Sequence, residues 1–407
     1  MEADAPGPFA FPAHSGCGRR DLLLAGLAGA AGLLGLGGCR SAPREKPPGA
    51  AAGPGRAEVE ALLEARSRAV LEHDAARFLA TVHSDEPGFR ARQEELFTAL
   101  SRLPFAMWRE HVTQVEGPLA TLRLAYRYRG FDTGDVVLTT YLELGRADGG
   151  WLFTGDGGDK EDAPESWADP DVRAVRGESC LVVGRGPLEQ VADRLDRCVP
   201  AVTAVVGSGW ARRAVALLPG DADRAEALAG GRPLEGIAAA PTATPNADGS
   251  RGQDRILVSP EGWPRLNALG RRVVLTHELT HVAMGSAGDD RTPMWLVEGF
   301  ADHVAYRDTG TPPAAAAREL AEEVARGELP GGLPSRADFA TGAPRLSQAY
   351  QEAWLACRMV AGRYGEDRLL RLYREAGRRS EREALHEVLG VTDLTGPWRA
   401  YLREELG

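Results

Sequence analysis

The stretch from Leu266 to about Met284, LNALGRRVVLTHELTHVAM, decides the fold of the C-terminal half of this chain. Its apolar residues recur at helical spacings, so we predict that it forms one helix. His277 and His281 are four residues apart and therefore lie on one face of that helix, one turn above the other. Two imidazoles in this arrangement can reach a single metal ion at about 2.0–2.1 Å. Glu278 lies on the neighbouring flank, where it can hold a water molecule rather than the metal.

The segment that follows supplies a third ligand. Residues 293–302, PMWLVEGFAD, predict a second helix, and the loop over 285–292 gives the chain room to place it antiparallel to the first. Glu298 then completes three protein ligands and leaves the fourth position open for water, as a catalytic zinc site requires. Asp302 lies one turn further on the same face, where its carboxylate can accept the second N–H of a ligand histidine. A solvated helix carboxylate is the alternative for Glu298, but the apolar run before it disfavours a free charge.

Together, residues 277–281 and the pattern Trp295-Leu296-x-Glu298-Gly299-x-Ala301 resemble the gluzincin group of zinc metallopeptidases, specifically bacterial peptidase-MA-like proteins. The resemblance covers the chain from about residue 175 to its end. It implies a zincin-like domain over 170–407 that binds Zn2+ and hydrolyses a peptide or protein substrate. The roles that it implies are zinc ligation by His277, His281 and Glu298, and general base catalysis by Glu278.

A third segment extends the resemblance to the metallopeptidases. Ala349-Tyr350-Gln351, followed by Arg363-Tyr364-Gly365-Glu366, is similar to a helix of this family in which a tyrosine faces the metal. The similarity implies that Tyr350 donates a hydrogen bond to the tetrahedral intermediate, and a buried structural tyrosine is an equal alternative. The sequence departs from the family at Trp354, where relatives more often carry a small residue. This departure bears on the shape of the substrate pocket and not on the metal site.

The N-terminus has the pattern of an export signal. Arg19 and Arg20 precede an apolar run from Leu22 to Leu36, which is too short and too rich in glycine for a membrane span of roughly 20 residues. The run ends in Leu-Gly-Gly-Cys at Cys39, which resembles a bacterial lipobox. We therefore expect a twin-arginine-type lipoprotein signal peptide over 1–38, lipidation at Cys39, and a flexible tether over 39–56. The protein would be exported and lipid-anchored to the outer face of the bacterial cell membrane. A cleaved signal peptide with an incidental cysteine is the alternative.

A separate α+β domain is expected over 57–160. A helical pattern begins at Ala57 and is interrupted by Arg66, and a second helical stretch surrounds Leu96 to Leu103. Strand-like runs follow at Leu119–Tyr128, Val136–Leu144 and Trp151–Phe153, the first with strict alternation. Helices followed by long antiparallel strands resemble the cone of nuclear-transport-factor-2-like (NTF2-like) domains. No clustered acid–base set is evident here, so we expect a structural or docking role.

The region over 170–407 predicts a small sheet followed by a helical half, and the fold class is therefore α+β. Two alternatives remain open for Cys180 and Cys198: a disulfide, which an exported location would permit, or buried free thiols together with Cys357. The strands are predicted at Cys180–Val183, Arg213–Leu218 and Arg255–Ser259, with a helix from Pro187 to about Cys198, a long loop from Gly230 to Gly252, and helices from Pro264 onward.

Composition excludes some classes of function. Apolar residues make up 43% and charged residues 26% of the chain, which is typical of a soluble globular protein. The net charge of −10 leaves no basic excess to neutralise phosphates, so no nucleic-acid partner is expected. The favoured hypothesis is an exported, membrane-anchored zinc metallopeptidase. The alternative is a surface lipoprotein that binds a ligand or protein partner and carries a structural or vestigial zinc site. The retained Glu278 and the open fourth position favour the enzyme.

Overall fold

The computed structural model describes residues 53–83, 87–147, 149–234, 237–243, 252–286 and 289–407. The predicted signal peptide over 1–38, its lipidation residue Cys39 and most of the tether over 39–56 lie outside the described residues. Among the helices of the described ranges, none is both long and apolar enough to cross a membrane.

The N-terminal part is a four-stranded antiparallel sheet preceded by helices. Its strands follow one another in the order of the chain, because each is joined to the next by a short turn. The second strand has the predicted bounds, and its burial alternates with a period of two. The elements are α1 (Arg56–Glu72), α2 (Ala75–Leu79), α3 (Pro87–Leu100), β1 (Phe105–Glu116), β2 (Leu119–Tyr128), β3 (Val136–Ala147) and β4 (Gly150–Asp156).

Strand β1 was not predicted, and a buried charge explains why. Glu110 faces the core with 7% of its surface exposed, at a position where alternation calls for an apolar residue. Two register irregularities in the pairing with β2 further disturb the pattern. The carboxylate of Glu110 lies 3.6 Å from Nε of Arg66, the residue that interrupts the apolar stripe of α1. The two departures from hydrophobic patterning are therefore one buried ion pair, which the local sequence pattern does not reveal.

A second, five-stranded sheet follows in the chain. Its strands are β5 (Arg173–Arg176), β6 (Cys180–Gly184), β7 (Ala214–Leu218), β8 (Ala239–Ala243) and β9 (Asp254–Val258). They lie in the order β5-β6-β7-β9-β8, with the three central strands parallel and the two edge strands antiparallel to their neighbours. The prediction of one unbroken loop from Gly230 to Gly252 was wrong, because β8 forms within it. The sequence of β8, Ala-Ala-Pro-Thr-Ala, has little strand propensity, and its order comes from pairing with β9.

The rest of the chain is helical, as the sequence predicts from Pro264 onward. One helix before that point is longer than predicted: it continues past Cys198 and through Pro200, because the following valines pack into the core. The helices are α4 (Leu188–Val206), α5 (Ala222–Leu228), α6 (Gly262–Arg265), α7 (Ala268–Met284), α8 (Met294–Tyr306), α9 (Pro313–Ala316), α10 (Arg318–Ala325), a 3-10 turn (Arg336–Phe339), α11 (Leu346–Tyr364), α12 (Glu366–Ala376), α13 (Glu381–Leu389) and α14 (Thr395–Leu406).

The second sheet lies between the N-terminal part and these helices. One of its faces joins the core formed with α4, α7 and α8, while Leu181 and Val215 on the other face join an apolar cluster with Trp108 of β1. At the same boundary the buried Arg255 pairs with the buried Asp132 at 2.7 Å. The two predicted domains therefore share a continuous apolar interface.

The cysteine alternatives are also decided in this structure. Cys180, Cys198 and Cys357 are buried free thiols. The thiol of Cys180 donates to the carbonyl oxygen of Ala192 at 3.4 Å. Of the two alternatives left open by the sequence, the free thiols are the one observed.

Candidate metal centre

Helix α7 carries the two histidines, and its ends are fixed by local sequence. The side chain of Asn267 accepts a hydrogen bond from the backbone N–H of Gly270 at 2.8 Å and so caps the N-terminus. Gly285 ends the helix with a left-handed φ of +67°, a conformation that glycine adopts without strain. Between these caps the helix is buried on several faces, because it lies between the second sheet, α4 and α8.

Helix α8 brings Glu298 to the same place through a close helix crossing. A Cβ atom on Gly299 would lie 2.2 Å from the carbonyl oxygen of Ala353 and 2.9 Å from Sγ of Cys357, both in α11. Only glycine allows α8 and α11 to approach this closely. The crossing brings Glu298 of α8 and Tyr350 of α11 close to the histidines of α7.

The three predicted ligands converge. Nε2 of His277 lies 2.9 Å from Nε2 of His281, and these two nitrogens lie 3.3 and 3.5 Å from Oε2 of Glu298. Ligand atoms around a tetrahedral zinc ion, each about 2.0–2.1 Å from it, are separated by roughly 3.3 Å. All three side chains are essentially inaccessible to solvent. The spacing of the ligand atoms therefore fits one ion of this size.

Each histidine is held through its other ring nitrogen. Nδ1 of His277 lies 2.8 Å from Oδ1 of Asp302, the partner that the sequence analysis placed one turn beyond Glu298. Nδ1 of His281 lies 2.9 Å from Oγ of Ser286, a residue that the sequence analysis missed. A ring whose Nδ1 carries the proton keeps the lone pair on Nε2 for a metal. With Nδ1 engaged in this way, Nε2 of each ring is the nitrogen that is directed at Glu298 and is available to a cation.

Glu278 is the uncommitted group of the site. Its side chain is fully buried, and neither carboxylate oxygen has a hydrogen-bond partner within the described residues. Burial raises the pKa of Glu278 to about 8; the charges of Glu298 and Asp302 add to the rise, while those of His277 and Arg232 oppose it. A divalent cation at the site would favour the ionised form of this carboxylate.

Tyr350 and Trp354 lie on the same helix but in different surroundings. The ring of Tyr350 is buried, with its centroid 6.5 Å from that of His277, and it packs edge-on against Phe339 at 5.2 Å. Burial raises the pKa of Tyr350 well above its usual value, so its hydroxyl stays protonated and can donate. Trp354, one turn later, packs against Tyr306 at 4.8 Å.

The donor set fits a cation with nitrogen and oxygen preferences. In the part of the chain that the structure describes, one group of side chains could hold a metal ion: His277, His281 and Glu298, whose ligand atoms lie within 4.8 Å of one another. Two imidazoles and a carboxylate suit zinc, and such a three-ligand set is the kind found in catalytic zinc sites. The two Nε2 atoms and Oε2 of Glu298 border one buried volume, which a cation could occupy.

Comparison of the chain with known protein families and with curated proteins gave no match. The resemblances of the short motifs therefore remain expectations, and the chemistry of the site is indicated by its ligands, their burial and their hydrogen bonds.

Proposed function

We propose that this protein is a zinc-dependent metallopeptidase of the gluzincin type, exported and anchored to the membrane through lipidated Cys39. The observation that carries the proposal is the convergence of three ligand atoms within 2.9–3.5 Å beside a buried glutamate that bonds to none of them. The proposal includes a zincin-like fold for 170–407 and an NTF2-like fold for 57–160. The order of the helices and sheets in each part supports both assignments.

The proposed chemistry assigns one task to each side chain. When bound, the ion supplies Lewis acidity, which lowers the pKa of a coordinated water toward about 7. His277, His281 and Glu298 would hold the ion, and Asp302 would fix the ring of His277. Glu278 would take a proton from the attacking water and return it to the leaving amine. Its carboxylate is free for this task, because no hydrogen bond within the described residues occupies it.

Tyr350 is assigned a supporting role. Its phenol stays protonated and lies beside His277, so it would donate a hydrogen bond to the oxygen on which negative charge develops. The alternative of a purely structural tyrosine is supported by its packing against Phe339. A Tyr350→Phe variant separates the two, because it keeps the ring and removes only the donor.

A second function is favoured by one observation. His277, Glu278 and Glu298 have no exposed surface, so a peptide can reach them only if the residues that cover the site move away. This burial fits a surface lipoprotein that binds a ligand or partner and carries a closed, structural zinc site. Against it, structural zinc sites usually have four protein ligands, commonly with cysteine, and this set has three with none.

The test is peptide cleavage by the zinc-loaded full-length protein and by its Glu278→Gln variant. We expect Glu278→Gln to retain zinc and to lose about 100-fold or more of the hydrolysis rate, the scale of general base catalysis. Glu352→Gln is the matched control: it is another buried glutamate, whose pKa burial raises to about 7, so a neutral amide disturbs it little. Equal cleavage by wild type and Glu278→Gln would refute the assignment of the base. Zinc binding without any cleavage by the wild type would favour the binding protein.

A further inference from the structure

The C-terminus of α7 has a hydrogen-bond pattern that brings two particular residues together. The backbone N–H of Gly285 donates to the carbonyl of Val282 at 3.3 Å, and the N–H of Ser286 donates to the carbonyl of His281 at 3.1 Å. Together with the left-handed glycine, these bonds define a Schellman motif. In this motif the second residue after the helix lies against the residue three before its end, commonly through an apolar contact. Here those two positions are Ser286 and His281.

The contact between these side chains is polar. Oγ of Ser286 lies 2.9 Å from Nδ1 of His281 and 3.3 Å from the carbonyl oxygen of the same residue. A serine hydroxyl has one hydrogen, so if it donates to the carbonyl it must accept from the ring. Nδ1 of His281 then carries the proton, and Nε2 keeps its lone pair toward His277 and Glu298. Ser286 is only 3% exposed, so bulk water does not compete for these bonds.

We propose that Ser286 is a positioning residue of the metal centre, which fixes the tautomer and ring orientation of His281 so that its Nε2 can bind the cation. The proposal rests on the metal site of the proposed function. Ser286 thus takes part both in the cap of α7, through its backbone N–H, and in the orientation of His281, through its hydroxyl. Asp302 does the same for His277 with a charged group. A neutral hydroxyl at 286 orients its histidine without adding a fourth carboxylate beside Glu278, Glu298 and Asp302.

The experiment measures zinc affinity by competition with a chromogenic chelator, on purified full-length protein. Ser286→Ala removes the hydroxyl and keeps the backbone bonds of the cap. We expect it to bind zinc about 10–100-fold more weakly, the usual effect of losing a partner of a ligand histidine. Ser286→Thr keeps the hydroxyl and should restore affinity. Thr276→Val is the matched control, because it removes another buried hydroxyl of α7, one that donates to the carbonyl of Arg272 at 2.8 Å. It should bind zinc as the wild type does.

Two further measurements separate positioning from packing. The absorption spectrum of the cobalt-substituted protein should change in Ser286→Ala and not in Thr276→Val, because only Ser286→Ala changes the orientation of a ligand, His281. The metal-free unfolding temperature should fall no further in Ser286→Ala than in the control. Unchanged zinc affinity in Ser286→Ala would overturn the proposal, and so would an equal loss in Thr276→Val. If affinity responds as expected but the zinc-loaded wild type cleaves no peptide, the peptidase proposal fails and the role of Ser286 stands.

Discussion

Two groups of buried charges in this protein differ in how they are balanced. In the N-terminal part, Arg66 faces Glu110 at 3.6 Å and bonds Gln93, so one cation meets one carboxylate. In the C-terminal half, Glu278, Glu298 and Asp302 surround two imidazoles whose Nδ1 atoms are already engaged. The first group is electrically complete. The second has acceptors directed at one volume, and a divalent cation would complete it.

The difference separates a structural ion pair from a candidate functional site, although both are equally buried. A pair whose two charges cancel needs no third ion, although Nε and Nη1 of Arg66 have no hydrogen-bond partner within the described residues. Carboxylates and imidazoles brought together without a cation cost free energy, and this cost is the physical reason for proposing that an ion binds there. Three predictions test this distinction.

The largest effect is expected on removing the metal. A chelator should abolish peptide cleavage and lower the free energy of unfolding by about 4 kcal/mol if zinc was present at about 1,000 times its dissociation constant. The loss should be largest in α7 and α8, because these helices carry the ligands. Hydrogen exchange should therefore become faster in these helices by more than in β1 and β2. Unaltered stability after complete removal of the ion would contradict the argument from charge balance.

The next largest effect is expected on breaking the buried ion pair of Arg66 with Glu110. Arg66→Met leaves Glu110 buried without its cation and should lower the free energy of unfolding by about 3 kcal/mol, the low end for such pairs, because Glu110 can take up a proton instead. The double variant Arg66→Met, Glu110→Leu should regain most of this loss. Denaturant unfolding measures both, and zinc affinity should stay at the wild-type value in both. A double variant no more stable than the single one would show that the pair does more than balance charge.

The sequence predicts the candidate site better than the fold around it. The spacing of His277, His281 and Glu298 is set by helix geometry within two short segments, and the structure brings their ligand atoms together. Ser286 was missed because its contact depends on the left-handed turn at Gly285. A glycine just after a predicted helix, followed by a polar residue, was the available signal.

Long-range packing explains most of the remaining differences. Strand β1 was not predicted because Glu110 interrupts its alternation of apolar and polar residues. The partner of Glu110, Arg66, is distant in sequence, so the ion pair that explains both residues is not evident from either local pattern. Strand β8 has no pattern of its own and is ordered by pairing with β9. The interface between the two sheets depends on contacts such as Arg255 with Asp132, which no local periodicity encodes.

The smallest effect is expected from Glu352, a buried carboxylate that is only partly balanced by a cation. It is thus intermediate between the ion pair of Arg66 with Glu110 and the candidate metal centre. Glu352 pairs with Arg345 at 2.8 Å, but that arginine also binds Glu323, so one cation serves two carboxylates. Burial raises the pKa of Glu352 to about 7, above the value of about 4.3 for an unfolded glutamate. Between these values the folded protein keeps a proton that the unfolded chain loses, so raising the pH favours unfolding in that window and has no further effect above it. Between pH 5 and pH 7 the free energy of unfolding should fall less in Glu352→Gln than in the wild type, by at most about 2 kcal/mol. Thermal unfolding at both pH values measures the difference. If stability depended on pH equally in the variant and the wild type, Arg345 alone would balance Glu352. The two residues would then form a balanced ion pair like Arg66 and Glu110.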